Sequence, residues 1–156
     1  MAASGRGVSV EVLKQILKMV TTGRNFDRVL EKVKIVSMGP NQCSCELTVG
    51  EEHVNAQQIM HGGCMTTMVD TLTLATLAKE VGQFGVSAQL NMSFFRSASL
   101  GEKITMDVNV VKAGKSLGFT KADLFKSNGE ILATGSHIIS LAKGITMPES
   151  FFDIKE

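Results

Sequence analysis

One carboxylate in this sequence is a clear candidate for acid–base chemistry. Between Gly62 and Ala78 every residue is apolar, Thr or small, except Asp70, which carries the only charge. A carboxylate in such surroundings is costly unless it is hydrogen-bonded, paired or used in a reaction. Partial burial would also make it a stronger base near neutral pH. Two interpretations are open: a catalytic base or nucleophile, or a structural carboxylate held by the Thr66 or Thr67 hydroxyl.

The start of the same segment can stabilise a developing negative charge. Gly62 and Gly63 open the segment, and the N-terminus of a helix presents unpaired backbone N–H groups with about half a positive charge. Glycine also lets a substrate approach the backbone closely. We expect the Gly62 N–H, with support from Gly63, to polarise a carbonyl oxygen as an oxyanion hole does. The alternative is that the paired glycines only allow a tight entry into the helix.

The distance between these two groups has a consequence for assembly. Gly62 and Asp70 are eight residues apart, which is about 12 Å along a helix. One helix cannot bring both groups to the same carbonyl carbon, whereas two antiparallel helices from two copies can. The spacing therefore predicts sites shared between two chains.

The elements that position these groups follow an α+β pattern. An apolar stripe predicts a helix that Ser9 caps and that ends at about Thr22. The segment after Gly62 is apolar nearly all round, which predicts a buried helix that ends near Gly82. Alternating residues predict strands at 33–38, 42–49, 86–95, 103–112, 116–126 and 131–142.

This order predicts an antiparallel sheet wrapped round one central helix, with a second copy extending the sheet and covering an edge. We expect one domain over residues 1–156, with flexible tails at about 1–8 and 144–156. No structure is assigned to residues 143–156, which include Phe151 and Phe152.

Composition argues against several classes of protein. Sixteen basic and fifteen acidic residues give a net charge of +1, which does not support a dedicated nucleic-acid binder or a polybasic membrane anchor. No apolar run reaches the roughly 18 residues of a membrane span. The three cysteines, Cys43, Cys45 and Cys64, form neither a disulfide framework nor a metal site, which favours a reducing compartment. The N-terminus lacks a signal-peptide core, and a weak mitochondrial address stays open.

Longer motifs add a family resemblance. The stretch Asn55-Ala56-Gln57-Gln58-Ile59-Met60-His61-Gly62-Gly63 is followed by Val69-Asp70 and later by segments 85–87, 91–93, 100–102 and 112–120. With these motifs the chain resembles the hotdog-fold acyl-CoA thioesterases over about residues 10–141. The resemblance implies hydrolysis of medium- to long-chain fatty acyl-CoA without a cofactor, since coenzyme A belongs to the substrate. It also implies a homotetramer of two dimers, a cytosolic or mitochondrial location, and a lipid-transfer protein partner.

The resemblance extends the candidate site beyond Asp70 and Gly62. Asn55 is expected to hold its loop or the thioester carbonyl, Ser87 to place the attacking water, and His61 to organise the loop more than to act as a base. Arg96 and the 112–116 turn are expected to contact the coenzyme A phosphates. The full set of expected substrate contacts is Gly63, Ser87, Gln89, Phe94, Arg96, Lys112, Ala113, Gly114, Lys115, Ser116, Leu117 and Ser140.

Three competing interpretations use the same residues. Cys64 lies three residues after His61, but a free cysteine on a buried helix is usually a small apolar filler, so we reject it as the nucleophile. A hotdog hydratase or dehydratase would need a histidine beside a carboxylate, and His61 is too far from Asp70 within one chain. A non-catalytic acyl-CoA binding module would not need Asp70 in its apolar helix.

Overall fold

The computed structural model describes residues 9–147 and 149. Within these residues, two α-helices and six β-strands form the fold, with 3-10 helices at Phe26–Leu30 and Glu51–His53. Their order is α1 (Val10–Thr21), β1 (Lys34–Gly39), β2 (Gln42–Thr48), α2 (Gly62–Val81), β3 (Gln83–Phe94), β4 (Lys103–Ala113), β5 (Leu117–Lys126) and β6 (Ile131–Thr146).

The six strands form one antiparallel sheet that wraps round α2. The strand order is β1-β2-β4-β5-β6-β3, and α2 contacts β3, β4, β5 and β6. Met68, Val69 and Leu72 are fully buried on α2. The apolar stripe of α1 covers another side of this helix. The α+β hotdog layout and the buried central helix predicted from the sequence are therefore confirmed.

The start of α1 and the end of α2 lie at the predicted residues, but the predicted side-chain cap of α1 is absent from the described structure. Helix α1 begins directly after Ser9, but the Ser9 side chain makes no capping hydrogen bond, and its carbonyl accepts from Val12 N at 3.1 Å instead. Helix α2 continues to Val81 and ends at Gly82, whose φ of 72° places it in the left-handed region. Glycine adopts that conformation at little cost, which explains the stop.

The last strand corrects one prediction. Residues from 144 onward were expected to form a flexible tail, but β6 continues to Thr146. Ile145 and Thr146 pair with Phe84 and Gln83, so β3 also starts earlier than expected. Met147 is buried and its N–H donates to Gly82 O at 3.1 Å. The predicted tail residues Phe151 and Phe152 lie outside the described residues.

The two edges of the sheet differ in length. β1 has six residues and bulges at Val36, whereas β3 has 12 residues and pairs only with β6 within the described chain. The outer side of a 12-residue edge strand offers a row of backbone N–H and C=O groups to another strand. Across the described ranges, no helix has the length and apolar content needed to cross a membrane.

Candidate active site

Asp70 meets a hydroxyl from the edge strand of the sheet. Ser87 Oγ on β3 donates to Asp70 Oδ1 at 2.7 Å, and the Asp70 side chain is 40% exposed in a single chain. The Thr66 and Thr67 hydroxyls donate to the Gly62 and Gly63 carbonyls one turn earlier, at 2.9 and 2.8 Å. They do not donate to the Asp70 carboxylate, so the hydrogen bonds on which its purely structural interpretation depended are not present.

A histidine that the sequence analysis missed lies beneath this carboxylate. His137 on β6 is 1% exposed, and its Nε2 lies 3.5 Å from Asp70 Oδ1. Its Nδ1 is 2.7 Å from the Thr73 hydroxyl on α2. Burial lowers the pKa of His137 below its ordinary value of 6.5, and the Asp70 charge opposes that shift. The ring is therefore neutral at neutral pH, and its Nε2 has no hydrogen-bond partner among the described residues.

A signal for His137 was present in the sequence. The inward-facing residues of β6 alternate as Ala133, Gly135, His137, Ile139 and Leu141, all of them buried. A histidine in that register faces the core, where it needs a polar partner. The helix that packs against this face carries the partners, Thr73 and Asp70.

The start of α2 leaves one backbone donor free. His61 caps the helix: its Nδ1 accepts from Gly63 N at 2.8 Å, and its carbonyl accepts from Cys64 N and Met65 N. No hydrogen-bond partner for Gly62 N lies within the residues that the structure describes. The free donor is therefore Gly62 N–H, while the expected support from Gly63 N–H is already used by His61.

Asn55 organises the loop that leads to this helix start. Its Oδ1 accepts from Gln57 N at 2.9 Å and from Ile59 N at 3.4 Å. Its backbone N–H donates to Ile59 O at 2.9 Å. These bonds close a tight turn just before His61 and make no use of the side-chain amide NH₂, which stays available as a donor.

The hairpin between β4 and β5 lies at the Asp70 end of the sheet. Leu117 pairs with Ser140, and Ser140 pairs with Val86, the neighbour of Ser87. The hairpin is thus two strand spacings from Val86, about 10 Å. Every residue from Lys112 to Leu117 is exposed, so both lysines of the turn are accessible to an anionic ligand.

Phe94 and Arg96 lie at the other end. A Cβ built on Gly62 would be 3.6 Å from the Phe94 ring, and Phe94 is about 23 Å along β3 from Ser87. The Arg96 guanidinium lies 3.4 Å from Glu130. Within one chain, Arg96 and the 112–116 turn therefore lie at opposite ends of the sheet, and their expected contact with the coenzyme A phosphates stays a prediction.

The predicted site residues thus fall into two groups. The Asp70 group contains Asp70, Ser87, Gln89, Ser140 and residues 112–117, and the Gly62 group contains Asn55, His61, Gly62, Gly63, Phe94 and Arg96. Cys64 lies beside the second group, but burial raises the pKa of its thiol to about 11. A thiol with that pKa is a poor source of thiolate at neutral pH.

Comparisons with known proteins place the chain in a family. The family model described as "Thioesterase superfamily" matches residues 57–133, a range that includes Gly62, Asp70 and Ser87. Acyl-coenzyme A thioesterase 13 from Homo sapiens is 43% identical over 127 residues, which cover 80% of this chain and 91% of that protein.

Two solved structures extend the similarity to the fold. Zebrafish thioesterase superfamily member 2 has a TM-score of 0.82 at 34% identity and covers 86% of this chain and 99% of its own. Thioesterase superfamily member 2 from Mus musculus has a TM-score of 0.79 at 33% identity, with coverage of 90% and 100%.

Proposed function

Because the chain belongs to the thioesterase superfamily, we propose that it hydrolyses acyl-CoA thioesters to a free acid and coenzyme A. The observation that carries this proposal is the Asp70–Ser87 hydrogen bond of 2.7 Å, together with the free Gly62 N–H at the start of the same helix. The first group supplies an oriented base and the second a donor for a carbonyl oxygen. The human relative named acyl-coenzyme A thioesterase 13 supports the substrate class.

The proposed reaction uses these groups in sequence. Gly62 N–H donates to the thioester carbonyl oxygen and stabilises the charge that develops there. Asp70 takes a proton from a water molecule as the water oxygen bonds to the carbonyl carbon, or its carboxylate attacks that carbon directly. In the first route the C–S bond then breaks, and the proton held by Asp70 passes to the departing thiolate. In the second route the thiolate leaves as a mixed anhydride forms with Asp70, and water then hydrolyses this anhydride, which frees the acid, restores the carboxylate and supplies the proton to the thiolate. Ser87 orients the Asp70 carboxylate throughout.

We propose that each site is built by two chains. An antiparallel pairing of two β3 edges would place the Phe94 end of one strand opposite the Ser87 end of the other. Gly62 of one chain would then face Asp70 of its partner. The two groups could meet at one substrate although they are about 12 Å apart along a single helix. A dimer has two such sites, and we propose a tetramer of two dimers by family resemblance.

The same pairing would explain why Arg96 lies far from the 112–116 turn within one chain. It brings Arg96 of one chain towards the 112–116 turn of the other, so both basic groups can contact the phosphates of one coenzyme A. We propose fatty acyl chains of medium to long length as the acyl group, lying between the copies. A cytosolic or mitochondrial location and a lipid-transfer protein partner remain predictions.

The structure favours hydrolysis over hydration. A hydratase needs a histidine and a carboxylate poised over the substrate, and the histidine beside Asp70 is His137. That ring is 1% exposed and lies beneath the carboxylate. It can set the position of Asp70, whereas a substrate in the cleft cannot contact it.

Release of free thiol from a series of acyl-CoA chain lengths tests the reaction and its preferred substrate. Asp70→Asn should lower kcat by about 10²–10⁴-fold, because it removes the base. Asp123→Asn is a matched control, since Asp123 also accepts a hydroxyl hydrogen bond, from Thr134 at 2.6 Å, at a different part of the sheet. Absence of thiol release from every acyl-CoA would exclude hydrolysis, and full activity of Asp70→Asn would exclude the proposed base.

Mixed oligomers test the shared site separately. Gly62→Val should block the approach of the thioester, and Asp70→Ala removes the base. A dimer with one chain of each kind keeps one site with both groups intact. Random mixing should therefore restore about one quarter of the wild-type sites. Activity of the mixture that equals the sum of the two inactive variants would contradict a site built from two chains.

A further inference from the structure

Positive charge is concentrated in one part of this chain. Six of the 16 basic residues but only two of the 15 acidic residues lie between positions 14 and 34. The segment therefore carries a net charge of +4, although the whole chain carries +1. Helix α1, the 3-10 helix Phe26–Leu30 and the start of β1 contribute four of these cations. The other two, Arg24 and Lys32, lie in the turns on either side of the 3-10 helix.

The fold places these cations round two adjoining depressions. A groove of about 430 Å³ has an apolar floor with Leu17 and Val33 and three lysines on its walls, Lys14, Lys18 and Lys34. A second depression of about 720 Å³ is lined by Arg24, Phe26, Arg28 and Lys32. Glu31 lines both, so the two lie next to each other. The basic face is defined here by Lys14, Lys18, Arg24, Phe26, Arg28, Lys32 and Lys34.

Most cations of the basic face are available for an external partner. Lys14 pairs with Glu11 at 2.7 Å and Lys32 with Glu52 at 2.6 Å. The other four, Lys18, Arg24, Arg28 and Lys34, form no ion pair with any residue that the structure describes. A surface with this excess of free positive charge attracts a polyanionic partner.

An aromatic ring projects from the middle of this face. Phe26 is 75% exposed, and its short helix is fastened on several sides. The Asn25 side chain accepts from Arg28 N at 3.1 Å and donates to Val20 O at 2.9 Å. Thr71 on α2 donates to Asp27 Oδ1 at 3.2 Å. These bonds fix the turn with the Phe26 ring exposed to water, so a partner is needed to cover it.

We propose that the basic face docks reversibly on the anionic surface of a lipid bilayer. The Phe26 ring inserts at the level of the headgroups, and Arg24 and Arg28 contact lipid phosphates on either side of it. An aromatic residue between cations is suited to this interface. The ring is buried at the boundary between headgroups and acyl chains, and the cations are attracted to the anionic headgroups.

The basic face lies on the opposite side of the sheet from the proposed dimer edge. β1 and β3 are the two ends of the strand order, and the face is built at the β1 end. A docked chain therefore leaves β3 free for a second copy. Long acyl chains partition into membranes through their apolar surface, so docking would bring the proposed site close to its substrate. The docking itself does not depend on that activity.

Co-sedimentation with vesicles tests the proposal without using turnover. The full chain should sediment with vesicles of equimolar phosphatidylcholine and phosphatidylserine and stay in solution with phosphatidylcholine alone. Added salt should release it, because salt screens the attraction. Arg24→Gln with Arg28→Gln should weaken binding about thirty-fold, and Phe26→Ser about tenfold.

Matched variants control for general effects of charge and apolar exposure. Lys103→Gln with Lys121→Gln removes two cations outside the basic face, and Ile145→Ser removes an apolar side chain that is also 75% exposed. Both controls should bind as the wild type does, and thermal unfolding should show that every variant is folded.

Three results would overturn the proposal. The first is no sedimentation with anionic vesicles, and the second is equal loss of binding in the controls and the variants of the basic face. The third is a lower oligomer mass for Phe26→Ser by light scattering, together with vesicle binding unchanged from the wild type. That result would assign the face to contact between copies of this chain.

Discussion

Asp70 is hydrogen-bonded from one strand and lies over a buried histidine of another. Ser87 on β3 holds one carboxylate oxygen from the exposed side, and His137 on β6 lies beneath the same oxygen in the core. Thr73 in turn fixes the ring of His137. The Ser87 hydroxyl therefore orients the Asp70 carboxylate, and no residue that the structure describes donates a hydrogen bond to its second oxygen, Oδ2.

The burial of His137 predicts an acid sensitivity of the fold. Its pKa is lowered in the folded chain from the ordinary 6.5, so the unfolded chain takes up the proton first as the pH falls. The free energy of unfolding should therefore decrease as the pH falls below about 6.5, and this contribution should be complete below the folded pKa. In His137→Gln the free energy of unfolding should fall less between neutral and acidic pH than it does in the wild type.

Urea unfolding at about pH 7.5 and about pH 5.5 measures this difference in stability. His61→Gln is the control, because His61 is exposed. The same pH dependence in the wild type and in His137→Gln would contradict the assignment to His137.

Cys64 provides a second test at the scale of the residue. Its thiol is buried and its pKa is raised to about 11, so little thiolate is present for nucleophilic attack near neutral pH. Cys64→Ser should keep most of the hydrolytic activity, as should Cys43→Ser, whose buried thiol has a pKa also raised to about 11. A loss beyond about tenfold in Cys64→Ser alone would require a covalent mechanism.

At the scale of the elements, the distance between α2 and the sheet fixes the Asp70–Ser87 hydrogen bond. Gly135 on β6 sets that distance, because a Cβ there would lie 2.8 Å from Val69 Cγ1 and 2.7 Å from Met92 Sδ. Val69 is fully buried and precedes Asp70 on the helix. A side chain at position 135 must therefore displace the helix or the neighbouring strand.

Gly135→Ala should lower the free energy of unfolding by about 1–3 kcal/mol through this overpacking. It should also lower kcat, since a shift of α2 moves Asp70 away from Ser87. Gly39→Ala is the control, because a Cβ at position 39 would meet only the side chain of exposed Gln42. Chemical denaturation and thiol release measure the two effects, and an unchanged stability would contradict the spacing role.

The helices and strands could be predicted where the apolar residues of a segment follow a single periodicity. The apolar run of α2 and the alternation of β2 and β4 predicted their types because burial imposes those patterns. The end of β6 was missed because its last residues gain their stability from pairing with Gln83 and Phe84, which is a long-range contact. His137 was missed because its role depends on Asp70, 67 positions earlier in the chain. Gly62 and Asp70 themselves were identified from local chemistry, whereas Ser87 and most other members of the two groups came from the family resemblance.

At the scale of the whole molecule, the two ends of the sheet have different tasks. The β1 end carries the excess positive charge and the exposed Phe26, whereas the β3 end carries the Asp70 group and a long open edge. The net charge of +1 concealed this asymmetry. Charge averaged over a chain describes its solubility and not its surfaces.

The open edge of β3 leads to a prediction on assembly and activity together. Ala88 is the bulged residue of β3, since Ser87 pairs with Ile139 and Gln89 with Ile138. Proline is tolerated at bulges of edge strands, where no ladder hydrogen bond is lost, but it obstructs an incoming strand. Ala88→Pro should therefore leave the chain folded and abolish thiol release. It should also reduce the mass of the oligomer measured by light scattering.

Val36→Pro is the matched control, because Val36 is the bulged residue of the other edge strand, β1. It should change neither the mass nor the activity, since no site is proposed to form across that edge. A folded Ala88→Pro monomer with full hydrolytic activity would show that one chain completes the site, and the free Gly62 N–H would then need another role. Equal loss of mass in both variants would instead place the subunit contact at both edges.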